Sequence, residues 1–234
     1  MTGKIKLVHS GGNAVSLSVP SSNPSSSEVE FKLPQSDGSA NQALITDGSG
    51  NLSFGSAGNP SGMQVLEMFQ SPCDGSSFTL SQGNTTVQTV TGVQTAGGSM
   101  ADMNGSSISY VPPSGAKQVI YTFQFQIGGS PDTAAIGHFQ LLLDGTLIDN
   151  TRFTASGTDF GFDDLCYFTH TFNIGGTANT TDGRVATWTS SKTIKMQFKE
   201  FSTNHEVQIH KPRYANSTNL TMPQIGITAI GALT

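Results

Sequence analysis

Apolar and polar residues alternate along most of this chain, and turn-forming pairs interrupt the alternation at intervals of roughly ten residues. A period of two marks a strand that buries one face. The strongest run is Val119/Tyr121/Phe123/Phe125/Ile127, interleaved with Ile120, Thr122, Gln124 and Gln126. Further strands are predicted at Phe139/Leu141/Leu143 before the turn Asp144-Gly145, and at Phe168/His170/Phe172/Ile174 before Gly175-Gly176. Three more follow, at Ile194/Met196/Phe198, Val207/Ile209 and Ile225/Ile227/Ala229. No window sustains a period of 3.6, and only Gly62 to Phe69 is ambiguous between strand and helix. Many short strands with regular turns predict an all-β protein whose body is a β-sandwich, jelly-roll-like.

The pattern divides the chain into three zones. Residues 1–27 hold two short alternating runs, Ile5/Leu7 and Val15/Leu17/Val19, then a Pro/Ser/Asn spacer from Pro20 to Ser27. In residues 28–62, Val29/Phe31/Leu33 alternate with Glu28, Glu30 and Lys32. The turns Asp37-Gly38 and Asp47-Gly48 then flank Ala43-Leu44-Ile45, and Leu52/Phe54 completes the set. So few apolar side chains cannot close a core alone, and an isolated hairpin is marginal in water. The set Val29, Phe31, Leu33, Leu44, Ile45, Leu52 and Phe54 is therefore expected to pack against other copies of itself, as an oligomeric stalk, with a hinge at 55–62. Residues 63–234 form the globular head.

Composition sharpens this picture. The chain has 234 residues, and only 12% are charged, half the usual ~25%. Solvated helices rely on Lys, Glu and Arg, so helix is disfavoured. The 11 basic and 16 acidic residues give a net charge of -5, and the basic ones are scattered, which argues against nucleic-acid binding. No apolar run approaches the ~18 residues of a membrane span, so no membrane insertion is expected. The first residues lack the apolar stretch of a secretory signal. Cys73 and Cys166 are far apart and read as small buried hydrophobes.

The sequence contains no nucleophile elbow, P-loop or dinucleotide fingerprint. His138 and His170 sit beside apolar runs and read as hydrogen-bonded sheet residues. His205 and His210, if on one strand, would face opposite ways and share no metal. Asp159, Asp163 and Asp164 form the one acidic cluster in a loop-like context. A calcium loop or a glycosidase carboxylate pair are the chemical readings, and turn-forming Asp in a solvated loop is the plain and preferred one. Trp188 reads as a half-buried strand aromatic, with a sugar-stacking platform as the alternative. Phe153, Phe160, Phe162 and Tyr167 are denser than a plain loop needs, and could form a binding tip or an oligomer contact. No cofactor and no metal are expected.

The segment from Leu33-Pro34 through Ser36-Asp37-Gly38 and Thr46-Asp47-Gly48-Ser49-Gly50 to Phe54 resembles a unit common in phage fibre proteins. There it sits in a short trimeric stalk before a distal head, and often ends in Trp where this chain has Phe54. The body resembles head domains of marine-phage virion proteins, through Ser71-Pro72-Cys73-Asp74-Gly75, Tyr110-Val111-Pro112-Pro113-Ser114-Gly115, Val119-Ile120-Tyr121, His138-Phe139, Ala186-Thr187-Trp188-Thr189-Ser190 and Met222-Pro223-Gln224-Ile225. The resemblance implies a homotrimeric virion fibre or decoration protein, assembled in the host cytoplasm and not an enzyme. Ile5, Leu7, Val15, Leu17 and Val19 would dock it on other capsid or tail proteins. Phe153, Phe160, Phe162, Asp163 and Asp164 are the candidate tip for a host glycan or protein. The alternatives are a capsid fibre that only stabilises the shell, or a polysaccharide depolymerase using Asp159, Asp163 or Glu200.

Overall fold

The structure is a computed structural model that describes residues 4–18, 21–22, 28–40, 42–56, 62–129, 135–157, 163–212 and 220–232. It is all-β, and the chain divides into two compact units, Met1–Pro60 and Ser61–Thr234. Among the described residues the one helical element is a single 3-10 turn, Asp149–Thr151.

Unit 1 contains two antiparallel hairpins. β1 (Lys4–Val8) pairs with β2 (Ala14–Ser18) in a register that sets Ile5 opposite Leu17 and Leu7 opposite Val15. β3 (Gln42–Thr46) pairs with β4 (Leu52–Ser56), with Leu44 opposite Phe54. Chemistry specific to Asp47 closes this second hairpin. Its carboxylate accepts the Ser49 and Asn51 backbone N–H groups and the Asn51 side-chain amide, at 2.8, 3.2 and 2.6 Å. Gly48 and Gly50 take the positive φ that the turn needs, 81° and 91°. Val29/Phe31/Leu33 does not form the expected strand: this stretch makes one parallel bridge, Lys32 to Asn51. The Pro20–Ser27 spacer, the 55–62 hinge and Val19 lie largely or wholly outside the described residues.

Unit 2 is a sandwich of two antiparallel sheets. Its strands are β5 (Gln64–Pro72), β6 (Ser77–Leu80), β7 (Gly83–Thr86), β8 (Gln94–Thr95), β9 (Ala101–Asp102), β10 (Ile108–Tyr110), β11 (Ala116–Gly129), β12 (Ala135–Leu143), β13 (Thr146–Leu147), β14 (Phe153–Gly157), β15 (Asp163–Asn173), β16 (Lys192–Glu200), β17 (Val207–Ile209) and β18 (Gln224–Gly231). The first sheet runs β5-β18-β11-β17-β8, with β15 along the other edge of β11. The second runs β10-β16-β12-β13, with β14 on β12 and β9 on β16. The β6–β7 hairpin joins neither ladder, but packs on the core through Phe78, stacked on Phe69 at 5.0 Å. The ambiguous stretch Gly62–Phe69 is strand: β5 pairs with β18 through a bulge at Ala229/Ile230.

The alternating positions become the core. Val119, Tyr121, Phe123, Phe125 and Ile127 from the first sheet meet Phe139, Leu141, Ile194, Met196 and Phe198 from the second, all buried. Phe125 lies 5.9 Å from Phe139, and Phe153 stacks between Phe139 and Phe168 at 4.9 and 5.8 Å. Three of the polar groups inside are bonded to carbonyls of one segment, residues 104–106. The Tyr121 hydroxyl donates to the Ser106 carbonyl at 2.7 Å, the Cys73 thiol reaches the Gly105 carbonyl at 3.3 Å, and His210 Nε2 meets the Asn104 carbonyl at 2.9 Å. Tyr110 and Glu67 link the sheets, hydroxyl to carboxylate, at 2.9 Å. These buried donors each find an acceptor, which apolar surroundings demand.

Candidate functional site

Register decides which face each candidate stalk residue occupies. Paired residues share a face and neighbours alternate, so Leu44, Leu52 and Phe54 lie on one side of the β3–β4 hairpin. The Lys32–Asn51 bridge puts Lys32 on the opposite side, and hence Phe31 and Leu33 beside Leu52. This side stays open: Phe31, Leu33, Leu44 and Phe54 are 62%, 76%, 50% and 40% exposed. Phe54 lies across Gly38, where an added Cβ would come within 2.5 Å of the ring. A hollow of about 570 Å³ lies between the 33–38 segment and β4. Ile45 departs from the expectation of one shared seam. It faces the other way and covers Gly55. Val29 is exposed outside any strand. At the candidate docking hairpin, Ile5 and Leu7 are exposed, as is Val8.

The described residues of the candidate tip lie on strands rather than in a loop. Phe153 sits on β14 with its ring half-buried in the aromatic stack described above, so it belongs to the flank of the core. Asp163 and Asp164 begin β15, where Asp164 is exposed opposite Ile127. Phe160, Phe162 and Asp159 lie outside the described residues. Tyr167 is exposed on the outer face of β15. Glu200, at the end of β16, is half-buried. Trp188 is corrected on both counts: it lies in irregular chain and is buried, donating its indole N–H to the Tyr110 carbonyl at 3.1 Å.

The histidines separate into kinds that spacing could not distinguish. His138 Nδ1 meets the Thr154 hydroxyl at 2.8 Å, as a hydrogen-bonded sheet residue should. His170 Nε2 is buried without a hydrogen-bond partner, and burial lowers its pKa. His205 lies in a turn, with Nδ1 2.7 Å from the Ser202 hydroxyl. His210 is fully buried just beyond β17 in a left-handed backbone conformation, φ 68°. A carbonyl only accepts, so its Nε2 carries the proton, while Nδ1 is buried with no partner. Desolvation pushes its pKa down to about 4. Both cysteines are free thiols, Cys73 raised to about 12 and Cys166 to about 11 by burial. Among the described residues no group of three or more His, Cys, Asp or Glu could hold a metal, and no helix is long and apolar enough to cross a membrane.

The outer face of the second sheet carries a feature the sequence reading missed. Pairing of β16, β12 and β14 aligns Lys199, His138 and Thr154 in one row. With Met100, Gln140 and Arg152 they line a hollow of about 340 Å³.

No family model matches this chain, and no curated protein does. Among solved structures it is weakly similar to the infectious bursal disease virus Gx strain, with a TM-score of 0.31 and 10% identity over 95% of this chain and 46% of that one. The VP2 subviral particle of the same virus gives a TM-score of 0.31 at 10% identity, covering 82% and 46%. Dimeric latent PorU from Porphyromonas gingivalis gives 0.30 at 11% identity, covering 76% and 14%. The chain therefore spans less than half of each of these structures. Likeness at this level carries no inference about function.

Proposed function

We propose that this chain is a structural protein of a phage virion, a homotrimeric fibre or decoration protein whose sandwich head attaches to the host surface. The observation that carries the reading is the apolar side of the β3–β4 hairpin. Phe31, Leu33, Leu44 and Phe54 remain exposed on one register-defined face, within the segment that resembles a phage fibre stalk. An apolar patch of this kind is a surface for association, and closed cyclic symmetry buries it without open-ended growth. The exposed β1–β2 hairpin, with Ile5 and Leu7, docks the trimer on capsid or tail proteins.

Light scattering tests the assembly. Three copies of 24.5 kDa give about 74 kDa, and a stable 24.5 kDa species at micromolar concentration overturns the proposal. Deleting residues 1–27 is expected to leave the trimer intact and abolish incorporation into particles. Cryo-EM of intact virions locates the protein. A second reading, a capsid fibre that only stabilises the shell, is supported by the shortness of the stalk. It predicts that particles lacking the protein adsorb normally but lose genomes on heating.

A further inference from the structure

We propose that the hollow on the outer face of the second sheet binds an acidic saccharide, a sugar carrying a sulfate or carboxylate group, between Lys199, Arg152 and His138. Charge is the first argument. In a chain with only 11 Lys and Arg and a net charge of -5, two of those cations, Lys199 and Arg152, meet the imidazole of His138 at one depression. The neighbouring cations of β16 are already occupied, Lys192 by Asp144 at 2.9 Å and Lys195 by Asp102 at 2.6 Å. Lys199 has no ion pair among the described residues. Arg152 meets Asp149 at 2.9 Å in an exposed pair, which holds its guanidinium weakly and leaves donors for a ligand.

The uncharged lining selects a sugar over a bare anion. Thr154 and Gln140 bring a hydroxyl and an amide to the same depression, and the Thr154 contact to His138 Nδ1 orients the imidazole and leaves Nε2 for a ligand. Beside it stands Phe201, 56% exposed, its ring 5.5 Å from both His138 and His205. His205 is itself tied to Ser202. An exposed aromatic ring held between two imidazoles offers a firm apolar surface to the C–H face of a pyranose. An apolar ligand would leave Lys199 without a counter-charge and use none of the spare donors of Arg152, and free sulfate or phosphate would gain nothing from Phe201. Alternation along β16 places Glu200 on the opposite face, opposite Gly137, so its carboxylate does not oppose the anion.

The proposal rests on the host-attachment reading for its biological role, but the purified chain tests it directly. Calorimetric titration uses a heparin hexasaccharide, a polygalacturonate hexasaccharide, neutral maltohexaose and sodium sulfate. At least one acidic hexasaccharide should bind about tenfold or more tightly than maltohexaose or sulfate, with affinity falling as salt rises. Lys199→Gln with Arg152→Gln should remove that difference, and Phe201→Ala should weaken the acidic sugar severalfold, both at unchanged melting temperature. The groove proposal fails if neither acidic sugar binds, if maltohexaose binds equally, if sulfate alone binds as tightly, or if the double variant binds as wild type. Adsorption to host cells is read separately. Sugar binding without adsorption refutes attachment and keeps the groove, whereas adsorption without acidic-sugar binding does the reverse.

Discussion

Residues 28–56 and residues 116–129 carry the same kind of sequence, apolar side chains at every second position, and reach opposite states. In β11 each apolar position is buried, because β12 and β16 of the facing sheet meet it with their own Phe139, Leu141, Met196 and Phe198. In the β3–β4 hairpin Leu44 and Phe54 pair with each other and stay 50% and 40% exposed, with the Gly38 backbone lying against the Phe54 ring. Alternation therefore specifies a strand with one apolar face. Whether that face is buried depends on whether the chain supplies a second layer. The head contains its own second layer, whereas the described residues of unit 1 leave Phe31, Leu33, Leu44 and Phe54 exposed.

The sharpest test is a matched pair of substitutions. Phe125→Ala removes a fully buried ring from between the sheets and is expected to cost about 3–5 kcal/mol, lowering the melting temperature of the head by many degrees. Leu44→Ser with Phe54→Ser should leave that transition where it was and convert the assembly to monomers by light scattering. If the head melts earlier in the second variant, the contrast between the two regions is wrong. Acid provides the next test. The pKa of His210 is about 4 in the folded chain, against 6.5 for an ordinary imidazole. Between those values the unfolded chain binds a proton that the folded one refuses. Stability from this residue is complete above pH 6.5 and is lost as pH falls towards 4, by on the order of 3 kcal/mol. His170 acts in the same direction. Asn tolerates a left-handed backbone and cannot charge, so His210→Asn should flatten the pH dependence of denaturant midpoints across this window.

Smaller effects should again separate the regions. Cys73, buried and raised to about 12, should resist thiol labelling at pH 8 until the head is unfolded, and reductant should not move the melting temperature. Asp47→Ala should lower hydrogen-exchange protection of the β4 amides severalfold, while amides of β11 exchange as before.

The interior of the head was legible in the sequence wherever one strand lies between two others. β11, β16 and β18 alternate their buried apolar residues, so Val119 to Ile127 and Ile225 to Ala229 show their period, whereas β12 ends with Leu141, Leu142 and Leu143 all buried. β5 hid its nature because it is an edge strand with a bulge: Val65 and Met68 are exposed, and two apolar neighbours, Met68 and Phe69, break the alternation. Val29/Phe31/Leu33 showed the period of a strand, but the stretch forms a single bridge, Lys32 to Asn51, since among the described residues no neighbour extends the ladder. Phe153 looked like a loop aromatic because its partners, Phe139 and Phe168, come from other strands. The saccharide groove was invisible for the same reason. Lys199 and His138 are separated by about sixty residues of chain and become neighbours only through strand pairing.

The position of β18 also sets an order of events during synthesis. It lies between β5, the first strand of the head, and β11, and joins them into one sheet. Until Gln224–Gly231 has left the ribosome, β5 has no partner strand in that sheet and the nascent head remains an open, high-contact-order chain. The strands of the β3–β4 hairpin, closed by five residues around Asp47, pair with each other and with no strand downstream among the described residues, so this hairpin can form while the head is still being translated. Its apolar face is thus presented on polysomes well before the sandwich closes, when neighbouring nascent chains of the same message are the nearest copies available.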